Sequence, residues 1–168
     1  MFEIFKKKQT TVELEPLSCG DEELVALADG KLTDVSQVSD PVFVGEVMGE
    51  SAAFQYEQDK VVLCAPANGI LEVLFPTGHA FGIRMNNGVG LLVHIGVNTV
   101  EANGAGFRLL GHKQGDRVRA GEPVVEVNYG KLRKTYDMST MLIVTEGNGK
   151  KFHFRKSGEV KRGEKVTE

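Results

Sequence analysis

The sequence predicts an all-β fold, an antiparallel sandwich or barrel-like structure with two similar halves and little helix. From Gly30 onward, turn signals recur roughly every ten residues, and short apolar runs lie between them. Glycine accounts for 20 of the 168 residues, a share that favours many turns over long helices. No segment shows the apolar periodicity of a helix of three turns.

Eight apolar runs between the turn signals are predicted to form strands. They cover residues 42–47, 52–56, 61–65, 70–75, 90–97, 124–127, 141–144 and 151–154. A short helical turn is expected at residues 21–28. Short strands at this spacing are typical of sandwiches and barrels.

Two weak internal repeats indicate the two halves. Residues 28–32 (Ala-Asp-Gly-Lys-Leu) are similar to residues 67–71 (Ala-Asn-Gly-Ile-Leu). Residues 115–122 are similar to residues 158–164, which are one residue shorter. Each motif is predicted to be a tight turn that leads into a strand. Chance similarity between turns that contain glycine is the alternative explanation.

Composition excludes several classes of protein. The net charge of −3 does not indicate nucleic acid as the main partner. The two cysteines, Cys19 and Cys64, form no Cys-x-x-Cys pair, so neither a metal knuckle nor a redox motif is indicated. A reduced, cytoplasmic protein is therefore expected.

No signal peptide is expected at the first residues, because their apolar stretch is short and precedes the lysines. No later run is long enough to span a bilayer. We expect residues 1–20 to form an N-terminal extension and residues 21–168 a single domain. The extension is expected to be poorly ordered or to make weak contact with a membrane surface through residues 1–8.

Among the four histidines, His94 has the most informative surroundings. Residues 90–97 read Gly-Leu-Leu-Val-His-Ile-Gly-Val, and period-two alternation puts positions 91, 93, 95 and 97 on one face. His94 then points to the opposite face beside Leu92 and Gly96. The glycine leaves space over a ring that the strand holds rigidly, as a nucleophile requires.

His79 is the candidate partner of His94. Fifteen residues separate the two, with Asn-Asn-Gly at residues 86–88 between them. If the two segments pair as neighbouring strands, the imidazole rings lie side by side. Thr77, two residues before His79, can form a hydrogen bond with a ring nitrogen.

Several ordered motifs resemble one known family. They are residues 92–100 (Leu-Val-His-Ile-Gly-Val-Asn-Thr-Val), 77–81 (Thr-Gly-His-Ala-Phe), 40–43, 48–49, 65–69, 106–107 and 115–118. These segments resemble the glucose-type IIA proteins of the phosphoenolpyruvate-dependent sugar phosphotransferase system. The resemblance covers roughly residues 28–166 and implies an antiparallel β-sandwich.

The resemblance implies a phosphocarrier function. His94 would accept a phosphoryl group from the phosphohistidine carrier HPr and pass it to a cysteine of a IIB domain. His79 would stabilise that group, Thr77 would orient His79, and backbone N–H groups near Gly96 would add donors. A monomer without a cofactor in its free state is expected. Both partners would bind at an apolar rim around the two histidines, formed by Val42, Phe43, Val47, Phe75 and Phe81.

Some positions depart from the family pattern. Asn98 stands where the family commonly has aspartate, which makes the site less acidic, and we interpret this as tuning. Residues 49–51 and 54–57 also differ, which affects the expected preference for partners. The chain has no IIB cysteine motif and no membrane-embedded IIC region, so it is expected to be free-standing.

Two other functions remain open from the sequence. One is a regulatory binding module whose contacts depend on phosphorylation of His94, which is compatible with a carrier role. The other is a zinc hydrolase, but catalytic zinc usually needs three protein ligands and no third ligand is evident. A partner's carboxylate could instead complete a zinc site with His79 and His94 in a complex.

Overall fold

Two antiparallel β-sheets form the core of the described part of the protein. The structure, a computed structural model, describes residues 12–40 and 49–168. The strands in these ranges are β1 Gly30–Thr33, β2 Glu50–Gln55, β3 Lys60–Cys64, β4 Gly69–Leu74, β5 Ala80–Met85, β6 Gly90–Ile95, β7 Phe107–Leu109, β8 Arg117–Val118, β9 Pro123–Asn128, β10 Thr140–Glu146 and β11 Gly158–Val160. The helical segments there are the 3₁₀ turns Val35–Gln37 and Thr99–Ala102 and the short helix α1, Tyr129–Leu132.

The larger sheet has the strand order β11-β1-β2-β10-β6-β5-β4-β8, and the smaller has the order β3-β9-β7. Every pairing between these strands is antiparallel. Their inward-facing side chains form one continuous core, in which Phe54, Leu63, Leu71 and Val125 are fully buried. The predicted all-β sandwich is therefore confirmed.

A second, smaller core covers part of the outer face of the larger sheet. Its buried members are Val35, Val38, Ala53, Val97, Met141 and Ile143. The 3₁₀ turn Val35–Gln37 contributes Val35 to this core, and Asp34 caps the turn by accepting the Ser36 N–H at 2.9 Å. This face matters for function because His94 also lies on it.

The two sequence repeats correspond to two equivalent pairs of strands. Gly30 in β1 pairs with Val160 in β11, and Gly69 in β4 pairs with Val118 in β8. The polar residue before each glycine also has the same role in each half. Asp29 Oδ1 accepts the Arg162 N–H at 2.8 Å, and Asn68 Oδ1 accepts the Ala120 N–H at 2.8 Å.

The glycine turns that follow β8 and β11 are equivalent as well. Gly121 donates its N–H to Ala65 O at 2.8 Å, and Gly163 donates its N–H to Ala26 O at 3.0 Å. Both glycines adopt a left-handed conformation that favours glycine. The repeats therefore reflect a structural duplication, and the expected two similar halves are present.

Some predicted elements differ from those observed. Residues 21–28 are not helical, because Val25 bridges Lys165 and donates its N–H to Pro66 O in an extended segment. Residues 151–154 form no strand apart from a single bridge at Phe154. The apolar pattern missed β1, β5, β7, β8 and β11, most of which are short or contain polar residues. The predicted strand at residues 42–47 lies outside the described residues.

Part of the predicted N-terminal extension contacts the domain. Arg162 donates to Glu15 O at 2.7 Å, and Asn68 donates to Cys19 O at 2.9 Å. The expected membrane contact of residues 1–8 falls outside the described ranges. Within those ranges, no helix has the length and apolar character needed to cross a bilayer.

Candidate functional site

The pairing of β5 with β6 brings the two candidate histidines together. Ala80 lies opposite His94 in this pairing, and Ile95 donates its N–H to His79 O at 2.8 Å. The ring centroids of His79 and His94 are 5.6 Å apart, with the ring planes inclined at 80°. The two rings are therefore adjacent, as predicted, and they meet edge to face.

The backbone selects one tautomer of His94. Its Nδ1 lies 2.8 Å from the carbonyl oxygen of Gly96, which can only accept a hydrogen bond. Nδ1 therefore carries the proton of the neutral ring, and the lone pair lies on Nε2. That nitrogen is the one suited to nucleophilic attack. The His94 side chain is half-buried, and in the register of the sheet His94 lies between Met141 of β10 and Ala80 of β5.

Thr77 contacts His79 as the sequence predicts. The Thr77 hydroxyl lies 2.7 Å from His79 Nδ1. When the hydroxyl donates, the His79 ring carries its proton on Nε2 and can donate a hydrogen bond to a group on His94. His79 is only 6% exposed, so this donor is held with little freedom.

Burial favours the neutral form of both rings. It lowers the pKa of His79 below the usual value. Burial also lowers the pKa of His94, assisted by nearby His79 and opposed by the Gly96 hydrogen bond and the charge of Asp40. A neutral imidazole is the nucleophilic form, so both shifts favour attack on phosphorus near neutral pH.

Gly96 ends the strand that carries His94. Its φ of +78° is left-handed, and an added Cβ would lie 2.5 Å from Thr99 Cγ2. The strand therefore stops at Ile95, and Val97 turns into the smaller core, not the face predicted by alternation. The N–H groups of Gly96 and Val97 donate to Ser139 O and Asp137 O. These two N–H groups are therefore already bonded to backbone carbonyls, and Gly96 contacts His94 through its own carbonyl instead.

The structure describes two of the five predicted rim residues, Phe75 and Phe81, and places them differently. Phe75 is 42% exposed and its ring centroid lies 5.0 Å from that of His79, so it borders the site. Phe81 is not a rim residue, because it is 1% exposed and packs into the main core. Ala80 lies opposite His94 and shares its face of the sheet, so the side chain of the next residue, Phe81, points into the core. The other three, Val42, Phe43 and Val47, lie outside the described residues.

Two residues after the histidine strand, Asn98 and Val100, contribute exposed surface, and the exposure of Val100 was not expected from the sequence. Asn98 is exposed and adopts a left-handed conformation, with φ of 62°, at the start of the turn Thr99–Ala102. Asparagine is one of the residues that tolerate this conformation. Val100 in the same turn is 54% exposed. Its exposure could not be predicted because it follows an apolar strand and resembles a core residue.

Asp137 was also missed, although the Asp-x-Ser pattern of a side-chain-stabilised turn is visible in the sequence. Its carboxylate accepts hydrogen bonds from Ser139 and from the Ser39 N–H, both near the histidine strand. Nothing in the pattern connects this turn to His94.

No complete metal site is found in the described part of the chain. Groups of three or more histidine, cysteine, aspartate or glutamate side chains able to hold a metal ion do not occur there. His112 lies apart from the pair, 3.3 Å from Asp116 Oδ2. The described residues thus offer no third ligand for the zinc hydrolase considered above.

Comparison with known proteins identifies relatives of the whole domain. The family model described as phosphoenolpyruvate-dependent sugar phosphotransferase system, EIIA 1, matches residues 22–150. The solved structure of glucose permease IIA from Mycoplasma capricolum matches with a TM-score of 0.79 and 34% identity. That match covers 86% of this chain and 93% of the other.

Two curated proteins of Staphylococcus carnosus are also similar. The glucose-specific EIICBA component of its phosphotransferase system is 34% identical over 97% of this chain and 25% of its own length. The glucoside-specific EIICBA component is 34% identical over 82% of this chain and 20% of its own length. The chain thus spans about a quarter or less of the curated relatives it matches.

Proposed function

Because this chain belongs to the EIIA 1 family of the phosphoenolpyruvate-dependent sugar phosphotransferase system, we propose that His94 is the residue on which it carries the phosphoryl group. The chain is a phosphotransferase component that acts as a phosphocarrier in sugar uptake. HPr is the proposed donor and a IIB cysteine the proposed acceptor, both in the cytoplasm.

The main support for this proposal is the hydrogen bond from His94 Nδ1 to the Gly96 carbonyl. It leaves the lone pair on Nε2, which attacks the phosphorus of a phosphohistidine on the donor. A new P–N bond forms while the donor P–N bond breaks, and the Nδ1 proton stays in place. In the second transfer a cysteine thiolate attacks phosphorus, a P–S bond forms and His94 is released neutral.

His79 is proposed to stabilise the phosphoryl group during its transfer to and from His94. The transition state of phosphoryl transfer spreads negative charge over the equatorial oxygens of phosphorus, so a positioned donor lowers the barrier. The His79 ring is 5.6 Å from the His94 ring and is held by the Thr77 hydroxyl. Its Nε2–H would donate to a phosphoryl oxygen.

The decisive experiment incubates the chain with phosphoenolpyruvate, enzyme I and HPr, and maps the acid-labile phosphate by mass spectrometry. We expect one phosphate on the peptide that contains His94 and none in His94→Gln. The matched control is His112→Gln, which removes an imidazole outside the site and should leave the label unchanged. Full labelling of His94→Gln would refute the assignment.

Exposed apolar side chains next to the histidine pair support docking of both partners at one surface. Phe75 and Val100 are both large and exposed. We propose that these two residues contact HPr and IIB, together with Val42, Phe43 and Val47. The contact should be small and transient, because the same surface must release each partner in turn.

Regulation by phosphorylation is compatible with this site. A phosphoryl group on His94 would add negative charge beside the apolar surface that includes Phe75 and so change which partners bind. A partner carboxylate could also complete a zinc site with the two neutral rings, whereas the free monomer is proposed to bind no metal. Zinc binding by the free chain, measured by equilibrium dialysis, should therefore be weak.

A further inference from the structure

A carboxylate closes the turn that lies against the end of the histidine strand. Asp137 lies between α1 and β10, and its Oδ1 accepts the Ser139 N–H at 2.9 Å. The same oxygen accepts the Ser139 Oγ–H at 2.7 Å. This is the local bonding by which aspartate stabilises a tight turn. The carboxylate therefore determines where the backbone carbonyls of residues 137–139 point.

Two of those carbonyls hold the residues that orient His94. Ser139 O accepts the Gly96 N–H at 3.0 Å, and Asp137 O accepts the Val97 N–H at 2.8 Å. The carbonyl oxygen of Gly96 accepts a hydrogen bond from the His94 Nδ1–H, with 2.8 Å between the nitrogen and the oxygen. A continuous chain of hydrogen bonds thus runs from the Asp137 carboxylate to the ring of His94.

The second carboxylate oxygen holds another segment near the site. Asp137 Oδ2 accepts the Ser39 N–H at 2.9 Å. Ser39 precedes Asp40, whose negative charge acts on His94 in the direction that raises its pKa. Gln55 of β2 also donates to Ser139 Oγ at 2.7 Å. The turn of residues 137–139 is therefore bonded to three separate parts of the chain, which are the segment at Ser39, strand β2 and the end of β6.

The carboxylate is ionised at neutral pH. Burial raises the pKa of Asp137, but hydrogen bonds from Ser139 and Ser39 outweigh this and lower it overall. An ionised carboxylate accepts stronger hydrogen bonds than a neutral group does. The turn is therefore held by charge-assisted bonds.

We propose that Asp137 is the positioning residue for His94: its carboxylate fixes the 137–139 turn, the turn fixes the Gly96 carbonyl, and that carbonyl orients the ring for phosphoryl transfer. The proposal rests on the proposed function of His94. A purely structural role for Asp137 would change the free energy of unfolding but not the tautomer of His94 or the rate of transfer in the folded protein.

The test compares Asp137→Ala, Asp137→Asn and the matched control Asp116→Ala. Asp116 also accepts a backbone N–H, that of Lys113 at 2.9 Å, but in a turn outside the site. Nitrogen-15 NMR of the imidazoles reports the His94 tautomer, and rapid mixing with phosphorylated HPr reports the transfer rate. Both are measured on the full chain.

For Asp137→Ala we expect a loss of the Nδ1–H tautomer of His94 and a transfer rate lower by about tenfold to a hundredfold. Asp137→Asn keeps an oxygen that can accept from Ser139, so it should restore most of the tautomer and the rate. Asp116→Ala should match the wild type in both. An unchanged tautomer and rate in folded Asp137→Ala would overturn the proposal.

If Asp137→Ala does not fold, Ser139→Ala provides the test, because it removes only the hydroxyl contacts to Asp137 and Gln55. It should shift the same NMR signals to a smaller extent, and unshifted signals would overturn the proposal. The NMR readout is independent of phosphorylation. A tautomer change in a chain that HPr does not label at His94 would therefore refute the proposed function but not the positioning by Asp137.

Discussion

At the scale of single residues, the two histidines differ in what holds them. The Gly96 carbonyl, which can only accept, keeps the His94 proton on Nδ1. His79 Nδ1 instead contacts the Thr77 hydroxyl, which can donate or accept. This difference supports the proposed roles of His94 as nucleophile and His79 as hydrogen-bond donor. The proposed phosphoryl transfer therefore depends on two hydrogen bonds, one from His94 to the Gly96 carbonyl and one between His79 and the Thr77 hydroxyl.

The contact between Thr77 and His79 gives a prediction. Thr77→Ala should slow phosphoryl transfer from HPr by roughly tenfold or more, because a preorganised donor loses its orientation. The measurement is the rate of single-turnover labelling of His94.

Thr77→Ser is the matched control for this prediction, since it keeps the hydroxyl that lies 2.7 Å from His79 Nδ1. It should transfer at nearly the wild-type rate. Equal rates for the alanine variant and the wild type would show that Thr77 does not orient His79.

The lowered pKa values of His79 and His94 predict a pH dependence of stability. Between the folded-state pKa and the unfolded value of about 6.5, the unfolded chain binds more protons. The free energy of unfolding should therefore decrease as pH falls through about 6.5, and level off below the folded-state pKa. Urea unfolding between pH 7.5 and 5 measures it.

The double variant His79→Gln with His94→Gln isolates this contribution from that of the carboxylates. Its stability should vary less with pH than that of the wild type over the same interval. A double variant as sensitive to pH as the wild type would contradict the prediction.

At the scale of elements, the end of β6 determines the geometry of the site. Gly96 is left-handed and so close to Thr99 and Met138 that an added Cβ would lie 2.5 Å from one and 2.8 Å from the other. The turn can therefore form only where residue 96 has no side chain. The carbonyl that orients His94 depends on this close approach.

Gly96→Ala should destabilise the protein through both backbone and packing. The left-handed conformation costs about 1 kcal/mol for a residue with a Cβ, and overpacking adds roughly 1–3 kcal/mol. Gly149→Ala is a closely matched control, because its φ is +79° and no atom lies within 4 Å of the added Cβ. Denaturant unfolding should show the larger loss for Gly96→Ala. Equal losses would mean that packing at Gly96 is unimportant.

At the scale of the whole molecule, the N-terminal segment joins the two duplicated halves. An added Cβ at either Gly121 or Gly163 would collide with Leu17. Leu17 therefore packs on the equivalent turns of both halves at once. Such a contact stabilises their relative position as well as the segment itself.

Leu17→Ala should lower the free energy of unfolding by about 1–2 kcal/mol, less than for a fully buried leucine because its side chain is half-buried. Leu14→Ala is the control, since Leu14 is 41% exposed and its removal should cost little. Denaturant unfolding and limited proteolysis near residue 17 measure the effect. Equal stability of the two variants would contradict a role for Leu17 in joining the halves.

The sequence by itself determined the fold class, the duplication and the pairing of the two histidine segments. Alternation and turn residues are local signals, so they identified strands such as β6 without knowledge of the fold. The similarity of residues 28–32 to residues 67–71 predicted the two halves for the same reason. The separation of fifteen residues from His79 to His94 predicted one β-hairpin, and a hairpin also depends only on residues close together in the sequence.

Only the tertiary structure decided the register and the distant contacts. Phe81 faces the core because Ala80 pairs with His94, and the turn before β5 interrupts the alternation that would have shown this. Asp137 reaches Gly96 because β10 lies beside β6, a pairing of strands far apart in the chain. Local patterns carry no information on such pairings, because burial of the whole core selects them.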